Sequence, residues 1–165
     1  MPITYETIAT ATASGSTNNV TFSSIPSTYT DIIAIVNVKL SSTGTCWSYL
    51  NGDASSGLYS DNVLIGWSSG AQSFKNTSQN ALIVAESNSV GSTHFSTIIV
   101  HYMNYANTSV HKVVLSTNAS NDTQMGTAVN LWRNTAAVNT INFNTFGAPN
   151  FAAGSTFTLY GLKAA

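Results

Sequence analysis

The feature that most limits what this chain can become is its alternation. β-Branched and aromatic residues recur at every second position, in short runs separated by clusters of Ser, Thr, Asn and Gly. A strand turns successive side chains to opposite faces, so period two predicts strands with one buried face. Ile32, Ala34, Val36, Val38 and Leu40 share one face of such a strand, and Asp31, Ile33, Ile35, Asn37 and Lys39 share the other; burial on both faces is expected early in it, and the strand near 95–103 is apolar on both faces around Ile98, Ile99 and Val100. Further strands are expected over 95–103 and 110–117, around Ile141 and Phe143, and around Phe157 and Leu159. Shorter ones are expected over 3–8, 20–24, 46–51, 62–66, 72–75 and 81–86. No long stretch combines a helical period with a cap and good helix formers. Thr and Val are stiff at Cβ in a helix, and Ser and Asn draw backbone bonds to their own side chains.

Turn signals punctuate these runs at Ser14-Gly15, Thr43-Gly44, Asn51-Gly52-Asp53, Ser69-Gly70, Val90-Gly91, Pro149-Asn150 and Ala153-Gly154. Many short strands at this spacing predict an all-β fold, a single jelly-roll-like β-sandwich. One domain is expected over 1–165, with 1–18 as an N-terminal strand or arm. No repeat of solenoid or propeller length is visible.

Composition narrows the function. Charged residues make up 7% of the chain, against about 25% in an ordinary soluble domain. Ser, Thr and Asn fill the gap at about 38%. A net charge of −1 with five Lys and Arg argues against a nucleic-acid footprint. Apolar runs are too short for a membrane-spanning helix. The first 13 residues lack the basic and apolar regions of a signal peptide, so synthesis in a reducing cytoplasm is expected. Cys46 is the only cysteine, which excludes an intrachain disulfide, and no cationic residue lies within six positions of it. A small buried side chain is the expectation there. The scarcity of Lys and Pro leaves few defences for edge strands, so edges are expected to be covered by loops or by another chain.

Chemistry-bearing patterns are sparse. Gly66-Trp67-Ser68-Ser69-Gly70 has the spacing of a nucleophile elbow, which requires a helix after the serine. None is expected, so an exposed turn is the reading. His94 and His101 lie an odd number of residues apart on one expected strand and point to opposite faces; His101 and His111 could pair across a hairpin, with no third ligand. The carboxylates are Glu6, Asp31, Asp53, Asp61, Glu86 and Asp122. Asp53 and Asp61 form the least poor glycosidase pair, and with Asn51 and Asn62 a conceivable Ca²⁺ set; loop capping is simpler. Sequons at Asn19, Asn76, Asn107, Asn118 and Asn121 are as frequent as chance predicts for this composition. Trp67 in a Gly/Ser loop, with Tyr59 and Trp47, could contact a partner or stack on a glycan, although aromatic residues in a sandwich mostly fill the core. No catalytic residue, cofactor or metal is expected, and the chain is read as a non-enzyme.

Four stretches carry a family resemblance. They are Val20–Asp31; Leu50-Asn51-Gly52-Asp53 with Ser56-Gly57-Leu58-Tyr59; Asn104–Lys112; and Trp132 with Ala136–Ile141, ending in Ala153–Lys163. Together they resemble small β-sandwich virion proteins of tailed bacteriophages, which serve as capsid decoration, tail or fibre components. The C-terminal block is the most specific, and Ser68–Val90 departs from the pattern, so partner-specific function is expected there. The resemblance implies a virion structural protein, made in the host bacterial cytoplasm. The favoured form is a capsid decoration (cement) protein that binds the major capsid protein shell as a homo-oligomer, a trimer. A tail or fibre component binding a host-surface glycan is the alternative.

Overall fold

Alternation sets the strands, and turn chemistry sets their ends. The computed structural model describes residues 4–120, 124–147 and 149–163, and these residues contain twelve strands and no helix. They are β1 (Thr4–Thr12), β2 (Asn19–Phe22), β3 (Asp31–Val38), β4 (Gly44–Leu50), β5 (Tyr59–Trp67) and β6 (Gly70–Gln79), then β7 (Leu82–Val90), β8 (Ser96–Tyr102), β9 (Lys112–Ala119), β10 (Met125–Trp132), β11 (Ile141–Thr145) and β12 (Thr156–Lys163). Strand β3 buries Ile32, Ala34, Val36 and Val38 as expected, but its other face is not buried: Ile35 is 40% exposed, as is Ile99 of β8 at 46%. After β4 the chain turns at Asn51 (φ 54°) and Gly52 (φ 70°), and the Asp53 N–H closes the turn on the Leu50 carbonyl. Two successive positive φ angles make the tight turn that Asn-Gly favours.

The strands form two antiparallel sheets. One has eight strands in the order β1-β12-β3-β8-β9-β10-β5-β6, the other four in the order β2-β11-β4-β7. Without β5, β6, β9 and β10, the pairs β1–β12, β3–β8, β2–β11 and β4–β7 nest as one long hairpin rolled into two layers. That is the jelly-roll arrangement, and the all-β sandwich expectation holds. The two inserted hairpin partners, β5–β6 and β9–β10, extend the large sheet beyond β8. Between the layers lie Ile32, Val36, Leu50, Tyr102, Trp132, Phe143, Phe157 and Leu159, all nearly or fully shut off from solvent.

The inserted strands solve one edge problem. Strand β7 ends the small sheet, and its outer edge abuts the inner face of β10 and β9. There the buried Asn130 side chain acts as a strand partner. Its Oδ1 accepts from the Ile83 N–H at 2.9 Å, and its Nδ2 donates to the Ile83 carbonyl at 3.1 Å. The Ser116 hydroxyl donates to the same carbonyl at 3.2 Å. An exposed edge is thus satisfied inside the chain. At the two ends of the large sheet, among the described residues, β1 pairs only with β12 and β6 only with β5.

Two sequence expectations change. Strand β10 was not anticipated, because Gly126 and the inward Asn130 break its apolar alternation. Strands β1, β5, β6 and β7 run longer than expected, over Thr4–Thr12, Tyr59–Trp67, Gly70–Gln79 and Leu82–Val90. The sequon Asn121 and the carboxylate Asp122 lie outside the described residues.

Candidate functional site

The outer faces of the two sheets differ in chemistry. On the large sheet, strands β3, β8, β9, β10 and β5 turn Ile35, Ile99, Leu115, Val129 and Leu64 to solvent, each 38–53% exposed. Ile35 stands opposite Ile99, and Leu115 opposite Val129, so the side chains form a nearly continuous aliphatic row across the sheet. Thr97, Thr117, Thr127 and Asn62 flank it, and the solvent-facing positions of these five strands carry no Lys, Arg or Glu. Its charged groups lie at the margins: exposed Lys75 of β6, opposite Asn62 and beside Leu64 and Val129, at one end, and a His–Asp contact at the other. His101 Nε2 meets Asp31 Oδ2 at 2.8 Å, while Asp31 Oδ1 accepts from the Asn104 N–H at 2.7 Å.

On the small sheet the outer face is amide, hydroxyl and aromatic. Asn142 Nδ2 donates to Asn19 Oδ1 and Thr21 Oγ1, at 2.8 and 2.6 Å. Strand β4 adds Thr45, Trp47 and Tyr49. Trp47 stacks on Phe146 with ring centroids 4.5 Å apart and planes 23° from parallel. Because the large sheet curls around β7, its last strand β6 reaches this face. Between them lies a cleft of about 280 Å³ lined by Thr45, Trp47, Phe74, Asn76, Gln79, Ile83, Glu86 and Phe146.

The three aromatic residues singled out from the sequence part company. Trp67, at the end of β5, is 39% exposed and borders a second cleft with Phe95 and Met125. Trp47 is half-buried at the first cleft. Tyr59 is a correction: its ring is fully buried against Trp132, centroids 6.3 Å apart. Its hydroxyl donates to the Asp53 carbonyl at 2.7 Å and accepts from the Leu50 N–H, so it offers no surface for stacking on a partner.

The catalytic and metal patterns do not assemble. Gly66–Gly70 forms the β5–β6 hairpin, with Trp67 paired to Gly70 and a strand, not a helix, after the serines. His101 faces Leu115 across the β8–β9 ladder rather than His111. Asp53 caps its own turn through the Ser55 N–H and accepts from the Trp132 indole at 3.2 Å. Partial burial works against ionisation there, but these hydrogen bonds outweigh it and hold its carboxyl below the usual range. Asp61 sits on the inner face of β5 and Asn62 on the outer, while both ends of the Asn51 amide are bound to the backbone of 137–140. The proposed Ca²⁺ set therefore does not converge, and no group of three or more His, Cys, Asp or Glu suited to a metal occurs among the described residues.

Two features escaped sequence reasoning. Phe146 was not recognised as the partner of Trp47, since nearly a hundred residues separate them. The buried Asp61, whose Oδ1 accepts from Asn76 Nδ2 at 2.8 Å, leaves Oδ2 without a partner. Burial, and secondly the charge of Glu86, raise its carboxyl above the usual range against the opposing Asn76 bond.

No family model matches this chain, and no curated protein matches it. Among solved structures, a protein of unknown function from Shewanella oneidensis MR-1 aligns with a TM-score of 0.31 and 8% identity. That alignment covers 99% of this chain and 77% of the other.

Proposed function

We propose that this chain is a structural protein of a tailed-bacteriophage virion, a decoration protein that binds the shell of major capsid protein and stabilises it by contact rather than chemistry. The observation that carries the reading is the aliphatic row on the outer face of the large sheet. A freely soluble domain normally sets charges there, and this one sets Ile, Leu, Val and Thr. Such a face meets another protein surface without desolvating ions. The likeness of four stretches to phage virion proteins supplies the setting.

Magnitudes say how such a face works. Covering five half-exposed aliphatic side chains is worth roughly 1 kcal/mol each, about 5 kcal/mol together. Association costs about 4–15 kcal/mol in lost freedom and ordering. The row alone does not hold two free chains together. It becomes effective where a trimer also pairs strand edges such as β1 or β6, or where the shell presents many sites at once. Imaging particles from a phage lacking the gene tests this reading. Missing density on the head is expected, and a head identical to the parent refutes it.

A further inference from the structure

We propose that the cleft between β4 and β6, over the Trp47–Phe146 stack, binds a neutral saccharide. The proposal is independent of where the chain sits in a particle. Three observations carry it. The cleft, about 280 Å³, brings the rings of Trp47, Phe74 and Phe146 together with the amides of Asn76 and Gln79 and the carboxylate of Glu86. A few placed polar groups in an otherwise apolar and aromatic concavity are the usual make-up of a small-molecule site. One of these polar groups is also held in place: Asn76 donates to the buried Asp61, so its amide cannot turn freely.

The third observation selects the ligand. Two residues lining the cleft hold polar atoms with no hydrogen-bond partner: the indole Nε1 of Trp47, a donor, and Oε2 of Glu86, an acceptor. Unpaired buried polar atoms are uncommon enough to require an explanation. A ligand hydroxyl both donates and accepts, so adjacent hydroxyls of a sugar ring can serve both atoms. An ammonium or a metal cation could serve only the carboxylate and would leave the indole N–H unpaired. Both atoms are shut off from bulk water, so binding requires a lining side chain to move, and Phe146, stacked on the Trp47 indole, is the most exposed of them. That ring is 62% exposed and is followed by Gly147, where the chain turns at φ 89°. The sugar face would then take the place of Phe146 on the indole. Phe74, Asn76, Gln79, Ile83 and Glu86 all fall in 68–90, the stretch that departs from the resemblance.

The test is NMR titration of the intact chain with methyl glycosides of glucose, galactose, mannose and N-acetylglucosamine in polyol-free buffer. At least one should bind saturably and shift the Trp47 indole N–H signal, leaving that of Trp132, already bonded to Asp53, unmoved. Trp47→Phe, which keeps an aromatic ring but loses the N–H, and Glu86→Gln, which removes a charge that acts on Asp61 and so should not lower the melting temperature, should each weaken binding at least tenfold. Trp67→Phe should leave it unaltered. The proposal is overturned if no glycoside shifts the Trp47 signal, if both cleft variants bind as the parent does, or if only tetramethylammonium or Ca²⁺ binds.

Discussion

Asn130→Ala is expected to be among the most damaging single substitutions that remove no aliphatic side chain. Asn130 is 1% exposed and makes both hydrogen bonds that pair the outer edge of β7 at Ile83. Truncation leaves the Ile83 N–H without a partner, at about 1–3 kcal/mol for a buried orphan. The Ile83 carbonyl keeps Ser116, so its loss is smaller, about 1 kcal/mol. The sum is about 3 kcal/mol, or roughly 6–12 °C in melting temperature for a chain of this size. Ser116→Ala alone should cost about 1 kcal/mol, because Asn130 still holds the carbonyl. The double variant should cost more than the two single values added, since only then is the carbonyl orphaned. Urea unfolding of the four proteins measures the cycle. A loss below about 1 kcal/mol for Asn130→Ala, or strict additivity, would refute the edge-capping account.

Other expectations follow from single contacts. Asp61→Asn should raise the melting temperature at pH 7. The folded carboxyl has a raised pKa, so its contribution to stability is full below the unfolded value of 3.8 and is lost as pH rises through the folded one; the gain should vanish near pH 3. Cys46 is fully buried, and burial pushes its thiol up to about 12, so a thiol reagent should label it only at the rate of unfolding. Gly161→Ala should destabilise by about 1–3 kcal/mol in denaturant titration, because a Cβ there would overlap the Tyr29 ring.

The sandwich was legible because its signal is local. In β11 and β12 the alternation of Ile141, Phe143, Phe157 and Leu159 with Asn and Thr is the burial pattern itself, whereas in β3 and β8 period two is real but both faces carry Ile. Strand β10 was hidden for the opposite reason. Its inward Asn130 is polar in order to bond Ile83, a requirement set by a strand 47 residues away. Trp47 could be named from the sequence as a candidate contact, but the cleft could not. Its walls come from β4, β6, β7 and Phe146, which only the curl of the large sheet brings together. Tyr59 looked like a loop aromatic beside Gly57 and Leu58. Its partners Trp132 and Asp53 lie on opposite sides of the chain's central third, and nothing local marks it as core.

The proposed role rests on the aliphatic row across β3, β8, β9, β10 and β5 being the surface that meets other subunits. The most direct measurement adds purified protein back to particles that lack it and counts bound copies, comparing the parent with the Ile99→Asp/Leu115→Asp variant. Both positions face solvent, so the variant should fold with an unchanged melting temperature. The account predicts that the parent rebinds to saturation and the variant does not. Equal occupancy by a folded variant would contradict it.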